Sequence, residues 1–542
     1  MIKFWRKLRP KTLASDYLAN LKYTILGLGD TNYNDFCNAP KNLHRRLTEL
    51  GACTFYPPDW ADDGTGLEIV VEPWLEGVFD ALESVIKSET MDSTRNKDPL
   101  VNGVAELSLK GDAKSSYTIP SCPKPFLNIE FCDTEEVEPL VHENLPSQAG
   151  ECVKGRVVKC QLLSDRDSGK EVKDYFEIVI DCDKVDYSVG DTVGVMCHND
   201  EKDVEKIKRR LDSDSWSKPC LLKLRTDLIK PKSKLPAQLP PSVTSLEFLF
   251  TSALDLRCVP KKLFVRALLE HTTSDEDRDL LSQFCSKEGA KAFAERVTEK
   301  KMTILELLDL VPSCKPPATV FLEHLPRLLP RPYSISSSVM ETPGQISWLF
   351  TKVTEPQPGV ATTWMSGLKS GDSLSFYPRV SNNFCPPADE EQSYIMVCAG
   401  SGLGPFLSFL RDRKMNREKG EGLKGKCWLM YGCRFKDADC LYDKLIKDKY
   451  DNVLDKVSLS FSRETESSGY VQNKIEEEKV EMLNWLIDNK SMVFVCGDAK
   501  GMANGVKEAI KKILKEKLGD LDGAKFFQTM IADKKYKEDI WT

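Results

Sequence analysis

Histidine is scarce in this chain. Five occur among 542 residues, His44, His142, His198, His271 and His324, and none lies in the C-terminal two hundred. Imidazole acid–base work is thereby excluded from that stretch, and any chemistry there is expected from a bound cofactor. Eighteen cysteines are present, but no two form a Cys-x-x-Cys pair and no His-rich ligand spacing accompanies them. That pattern points to reduced, mostly buried thiols rather than disulfides or zinc, and no metal site is expected. No run approaches the ~18 uninterrupted apolar residues of a membrane span. The opening MIKFWRKLRP lacks an apolar core behind its basic start, so it does not read as a leader. A formal net charge of −7 removes the positive excess on which nucleic-acid binding rests. A cytoplasmic chain without membrane or nucleic-acid partners is expected.

What is present is chain enough for three or four units at about 150 residues each. Residues 88–148, around KSETMDSTRNKDPLVNG, are polar, rich in Ser and Lys and without sustained periodicity, and read as a tether. A short α/β stretch precedes them. A β-rich segment, a helical one around LFVRALLEHTTSDEDRDLLSQF, further strands and an alternating β/α pattern from about residue 390 follow.

The last module is the clearest. The apolar runs YIMVCA, KCWLMYG, VSLSFS and MVFVCG each precede a helical pattern, which is how the strands of a parallel sheet with crossover helices appear. Ligands bind such sheets at the carboxyl ends of the strands. There Gly400, Ser401 and Gly402 precede Pro405 and a helix bearing Phe406, Phe409 and Leu410. Glycines admit a pyrophosphate close to the backbone and a helix N-terminus attracts its charge. A bare strand-to-helix turn uses glycine equally well.

After the third strand come Ser462 and Arg463, where an acid would suit the ribose hydroxyls of NAD. A hydroxyl and a guanidinium suit a 2′-phosphate instead, which favours NADPH, with Tyr470 available to stack on adenine. A solvated surface charge is the other reading of Arg463. The fourth strand ends in Cys496, Gly497 and Asp498, a thiol and a carboxylate at the nicotinamide position, or else a buried spectator cysteine. Upstream, RPYSISSS alternates so that Arg331 and Tyr333 share a face while Ser334 points the other way. Either the strand ends there or the serine acts from the far side. In PGVATTW, Gly359, Val360, Ala361 and Thr362 form a turn entering a helix, a second possible pyrophosphate cradle or simply a capped helix.

RPYSISSS, GVATTW, YGCRFKD, FSRE, VCGDAKGMA and the closing DIWT, in this order over roughly residues 150–542, resemble the FAD and NADPH half of the diflavin reductase family. The resemblance implies that Trp541, one residue from the end of YKEDIWT, covers the flavin until nicotinamide displaces it. It implies a hydride-transfer group of Ser334, Cys496 and Asp539, and FAD contacts from Arg331, Pro332, Tyr333, Ser334 and Gly359 through Thr362. NADPH contacts are implied at Ser401, Arg434, Ser462, Arg463, Tyr470, Gln472 and Asp498. Where many relatives carry a lysine before that tyrosine, this chain has Gly469, which is expected to weaken 2′-phosphate binding. VPKKLFVRALLEHTT, FCSKEGA and FLEHLPRLLPRPYS are similar to the branch of the family whose electron acceptor is cobalamin-dependent methionine synthase. That similarity implies reduction of its inactive cob(II)alamin form.

At the amino end, LKYTILGLGDTNYNDF reads as a strand delivering a Gly-x-Gly loop, followed by a helix face of Leu43, Leu47 and Leu50 that stops at Gly51, a strand ACTFYP and the acidic loop WADDGTGLE. It resembles the second half of a flavodoxin-like FMN module, with Gly27, Gly29, Tyr33, Asn34 and Asp62 among the matching flavin-side positions. About two of the five strands fit, and no hydroxyl- and amide-rich phosphate loop precedes them. An incomplete chain that holds FMN weakly is expected, a genuinely shortened protein being the other reading.

The expected architecture is multidomain α/β plus β-barrel. It comprises a partial flavodoxin-like FMN module (1–87), a linker (88–148), a ferredoxin-reductase-type FAD barrel with a helical connecting insertion (149–388, insertion about 200–325) and a Rossmann-like NADPH module (389–542). The expected cofactors are FAD, NADPH and FMN. Alternatives are a relative serving a cytochrome or iron–sulfur acceptor, and a non-catalytic remnant that kept the fold.

Overall fold

The computed structural model describes residues 8, 10, 13–29, 37–62, 70–71, 74–75, 77–83, 117, 119, 122, 124–132, 152–182, 185–211, 215–225, 235–236, 239–286, 288–355, 357–380, 384–421, 424–464 and 469–541. The chain divides into two compact units, residues 1–125 with 257–324 and residues 126–256 with 325–542.

In the first unit the run LKYTILGLG, read as one strand, is two: β1 (Lys22–Tyr23) and β2 (Leu26–Gly29). They pair in parallel with β3 (Cys53–Thr54) and β4 (Asp59–Asp62) respectively. Pairing continues past the breaks, because Phe55 N–H donates to the Tyr23 carbonyl and Asp59 N–H to that of Ile25, each at 3.1 Å. The helix Asn38–Glu49 buries Leu47 and, just beyond it, Leu50 against Tyr23 and Ala52. Gly51 then takes a φ of 86° and turns the chain out where the sequence placed the stop. The helices Lys262–Leu269, Asp275–Cys285, Ile304–Leu310 and Ala318–His324 belong to the same unit and bury Phe264, Leu281, Phe284, Leu307 and Phe321. Thr303 starts one of them with a reciprocal cap: its hydroxyl accepts the Glu306 N–H at 3.3 Å and the Glu306 carboxylate accepts the Thr303 N–H at 2.7 Å. The helical insertion expected over about 200–325 is therefore divided, since the helix Glu201–Leu211 lies in the second unit.

The second unit contains β5 (Leu127–Phe131), β6 (Val153–Leu162), β7 (Tyr175–Asp181), β8 (Thr192–Met196), β9 (Cys220–Leu224), β10 (Arg331–Ser334), β11 (Gln345–Thr351) and β12 (Ser373–Arg379). β5 corrects the expectation of a structureless tether over 88–148: LNIEF pairs antiparallel with β9, which satisfies its backbone groups while Leu127 is buried. The other six strands form one antiparallel sheet in the order β10-β8-β12-β6-β7-β11. Alternate residues point inward, among them Ile178, Ile180, Val193, Val195, Trp348, Phe350 and Phe376. The expected barrel is a curled sheet whose edges meet at a single Ile335–Trp348 bridge and a 2.8 Å hydrogen bond from Ser336 N–H to the Ser347 carbonyl. β10 is only four residues long, too short for a full closing ladder, and Pro332 is tolerated there because the strand is an edge.

The remaining strands, β13 (Tyr394–Ala399), β14 (Cys427–Cys433), β15 (Lys456–Phe461), β16 (Met492–Asp498) and β17 (Tyr536–Trp541), form a wholly parallel sheet in the order β15-β14-β13-β16-β17. Helices cover both faces. One core holds Met396, Cys398, Phe406, Leu429, Phe494 and Cys496; the other holds Ile395, Val397, Trp428, Val495, Ile510 and Phe527. Burial of both faces explains the near-continuous apolar runs in the sequence. Strand order reverses at β13 and β16, so the crevice that binds ligands in such sheets opens at their carboxyl ends.

Candidate active site

Two carboxyl ends and one strand end converge at that crevice. β16 and β17 run in register with Cys496 opposite Asp539 and Asp498 opposite Trp541. β10 stops at Ser334, whose hydroxyl donates to Asp539 Oδ2 at 2.5 Å, and Cys496 Sγ lies 3.9 Å from the same oxygen. Two residues of the implied hydride-transfer group, Ser334 and Cys496, thus both meet the carboxylate of the third, Asp539. Burial holds the Asp539 carboxyl above the ordinary range, opposed by the hydrogen bonds from Ser334 and Cys496. Burial and the neighbouring Asp539 push the Cys496 thiol well up, which favours its neutral form as the donor to that carboxylate. Cys496 is 0% exposed and lies beneath the Gly400–Leu403 turn, where a Cβ on Gly402 would come within 2.4 Å of its carbonyl oxygen. The thiol is therefore enclosed, with the Asp539 carboxylate as its polar neighbour.

Of the two readings of Ser334, the strand does end there, and the serine hydroxyl is turned to Asp539. On the opposite face, the Tyr333 ring stacks at 6.3 Å on Trp348 and meets Phe350 edge-on at 6.2 Å. Burial raises its phenol pKa. Arg331 donates to the Leu329 carbonyl and lies 3.8 Å from Asp255. Pro332 is exposed. Gly359 precedes the helix Val360–Ser366, and Thr362 is turned inward, accepting the Val353 N–H at 3.1 Å and donating to the Gly359 carbonyl at 3.3 Å. Ala361 and Val360 pack with Cys197 and Leu328.

On the parallel sheet, β13 runs into the Gly400–Leu403 turn and the helix Gly404–Glu418. Gly400 has a φ of 56°, and a Cβ there would lie 2.6 Å from the Tyr175 hydroxyl, so only glycine suits the position. The Ser401 hydroxyl sits 2.8 Å from that of Thr351 at the end of β11. Beyond β14 and β15, Arg463 N–H donates to the Arg434 carbonyl at 3.0 Å, while Ser462 N–H donates to that of Cys433 at 2.9 Å. The two guanidiniums share one partner, Glu171: Arg463 Nη1 lies 2.5 Å from its Oε2 and Arg434 Nη1 3.3 Å from its Oε1. Next to them a cavity of about 270 Å³ is lined by Leu459, Phe461, Glu464, Gly469, Tyr470 and Lys474. Tyr470 is 64% exposed at its rim. Gln472 Oε1 is buried without a hydrogen-bond partner, and its side chain lies where a Cβ on Gly505 would be 3.0 Å away. Asp498 is exposed and caps the following helix by accepting the Gly501 N–H at 2.5 Å.

Trp541 ends β17 with 44% of its surface exposed. In the first unit, Gly29 lies opposite Asp62, and Gly27 opposite Trp60, whose ring would be 2.6 Å from a Cβ on that glycine. Tyr33 and Asn34 lie outside the described residues. Sequence reasoning missed Glu171, Thr351 and Asp255, because nothing local marks residues whose partners are far away in the chain.

A flavin-type antiparallel sheet beside a dinucleotide-type parallel sheet, joined by the Ser334–Asp539 contact, defines an NADPH-dependent flavoprotein reductase. Family models agree: the FAD binding domain matches residues 153–368, the oxidoreductase NAD-binding domain residues 396–508, and flavodoxin residues 1–74. Methionine synthase reductase of Mus musculus is 33% identical over all of this chain and 90% of its own length, and that of Homo sapiens 32% over the same shares. NADPH–cytochrome P450 reductase of Dictyostelium discoideum is 28% identical over 97% of this chain and 77% of its own length. The chain belongs to the methionine synthase reductase branch of the diflavin reductase family. It is an NADPH-dependent diflavin oxidoreductase with modules of the FAD, NADP and FMN types. Among the described residues, no helix is long and apolar enough to cross a membrane.

Proposed function

We propose that this chain passes electrons from NADPH through FAD and FMN to cobalamin-dependent methionine synthase, restoring its inactive cob(II)alamin form for remethylation by S-adenosylmethionine. The observation that carries the NADPH-to-FAD step is the Ser334–Asp539–Cys496 group at the crevice of the parallel sheet. Identity of 31–33% to four mammalian methionine synthase reductases supports the acceptor. Bound FAD would supply hydride acceptance and release of single electrons. The residues fit such groups. A two-arginine fork already holds a carboxylate, Gln472 Oε1 is buried without a partner, and Gly400 and Gly402 leave backbone bare where the pyrophosphate is expected.

In this reading Arg331, Pro332, Tyr333 and Gly359 through Thr362 bind FAD. Arg434, Ser462 and Arg463 bind the 2′-phosphate, Tyr470 covers adenine, and Ser401, Gln472 and Asp498 complete the dinucleotide site. Asp539, oriented by Ser334 and Cys496, stabilises the positive charge that develops on nicotinamide as hydride leaves. The Trp541 indole screens the flavin. The modules run 1–87, 149–388 and 389–542. All eighteen cysteines are free thiols, which supports a reducing compartment, the cytoplasm.

Two experiments test the proposal. Purified chain that retains no FAD on extraction would overturn the enzyme reading. NADPH-dependent reactivation of cob(II)alamin methionine synthase, set against cytochrome reduction, tests the acceptor. The cytochrome P450 reductase relatives favour a second reading, a cytochrome acceptor, which faster cytochrome reduction without reactivation would support.

A further inference from the structure

The guanidiniums read above as the 2′-phosphate site are already engaged by an anion of the chain itself. Glu171 lies in the turn between β6 and β7, on the antiparallel sheet, and it reaches residues at the ends of β14 and β15 on the parallel one. Its Oε2 is 2.5 Å from Arg463 Nη1 and its Oε1 3.3 Å from Arg434 Nη1, and its backbone carbonyl accepts from that same Arg434 nitrogen at 2.9 Å. The Glu171 side chain is 76% exposed, so nothing but charge and hydrogen bonding holds it there. Charge pairs anchor the turn beside it: Lys170 Nζ is 2.6 Å from Asp437 and 3.9 Å from Glu464. Lys173, two residues on, has its ammonium pKa lowered by burial and then by the nearby Arg434. The turn thus presents one carboxylate between two lysines, and that carboxylate bridges the fork.

To a guanidinium, a carboxylate and a phosphate monoester offer the same kind of oxygen acceptors. The phosphate carries up to about twice the charge and one more terminal oxygen. We propose that Glu171 is a built-in competitor for the 2′-phosphate. It occupies the Arg434–Arg463 fork in the free enzyme, yields it to a phosphorylated dinucleotide, and returns as the oxidised dinucleotide departs. The effect is to temper affinity for NADPH and NADP⁺ alike and to speed product release, while a dinucleotide lacking the phosphate leaves Glu171 in place. This rests on the reading of Arg434 and Arg463 as phosphate ligands.

The test is calorimetric titration of the full chain with 2′,5′-ADP and with 5′-AMP, in wild type, Glu171→Gln and Arg463→Ala. Gln keeps the shape and removes the charge at an exposed position. Glu171→Gln is expected to bind 2′,5′-ADP about three- to tenfold more tightly, as suits loss of an exposed pair shared by two arginines, with 5′-AMP unchanged. Equal or weaker binding of 2′,5′-ADP by Glu171→Gln, or equal tightening for both nucleotides, overturns the competitor role. If Arg463→Ala still loses 2′,5′-ADP affinity in that case, the phosphate site itself stands. If Arg463→Ala binds 2′,5′-ADP as wild type does, the phosphate site fails and the competitor falls with it.

Discussion

The hydroxyl of Ser334 donates to the carboxylate of Asp539 at 2.5 Å across 205 positions of sequence, joining the last residue of an antiparallel edge strand to the last strand of the parallel sheet. The contact does two things. It orients the carboxylate, and it offsets part of the burial that raises the Asp539 pKa.

Ser334→Ala removes that offset. Nicotinamide gains positive charge as hydride leaves, so flavin reduction should accelerate with pH as Asp539 ionises. Its folded pKa already lies above the usual aspartate value, and losing the donor raises it further. The rising limb of the rate profile should therefore move to higher pH in the variant, with a rate loss of about 10- to 100-fold on the acid side, or ~1.4–2.7 kcal/mol. Stopped-flow flavin reduction across pH, normalised to FAD content, measures this. An unmoved limb would mean that Asp539 is not the titrating group.

Trp541→Ala should loosen discrimination against NADH. In the proposed reading the indole covers the flavin and a dinucleotide displaces it, so with the shield gone either nicotinamide would reach the ring. β17 keeps its pairing with β16 through the backbone, so the fold is expected to survive. The ratio of kcat/KM for NADPH over NADH should fall, and an unchanged ratio counts against the shielding role.

If Arg463 binds the 2′-phosphate as proposed, Arg463→Ala should raise KM for NADPH well above any change for NADH. Loss of one charge-assisted contact predicts a shift of about 10-fold or more. Steady-state kinetics with both cofactors decide it, and parallel shifts would place Arg463 away from the 2′-phosphate.

How much of this was legible depended on whether the signal was local. β13 is YIMVCA residue for residue, because burial on both faces leaves an unbroken apolar run ended by glycine. β17 gave no such signal. YKEDIW lies at a sheet edge, half polar, and resembles a terminus that frays, although its register sets Asp539 against Cys496. β5 was hidden for a like reason, five residues inside a long polar stretch whose partner strand is nearly a hundred residues on. Glu171 could not be found at all: GKEVKD reads as a solvated turn, and its partners lie 263 and 292 positions away.

The turn after β13 offers a prediction in which two glycines two residues apart should behave oppositely. A Cβ on Gly402 would lie 2.4 Å from the Cys496 carbonyl oxygen and 3.0 Å from its carbon, both backbone atoms of a central strand that cannot give way cheaply. On Gly404, the first residue of the helix Gly404–Glu418, the nearest atom would be the Ser334 carbonyl oxygen at 3.5 Å, an ordinary contact. Gly402→Ala should therefore destabilise by about 1–3 kcal/mol through overpacking, and it should also disturb Asp539 by pushing on β16. Gly404→Ala should be neutral or slightly stabilising, since alanine is the better helix former by up to about 1 kcal/mol. Denaturation midpoints of the two variants against wild type separate the cases. Equal loss at both positions would show that the whole turn needs glycine for its backbone shape, and that the close approach of Gly402 to Cys496 is not what constrains it.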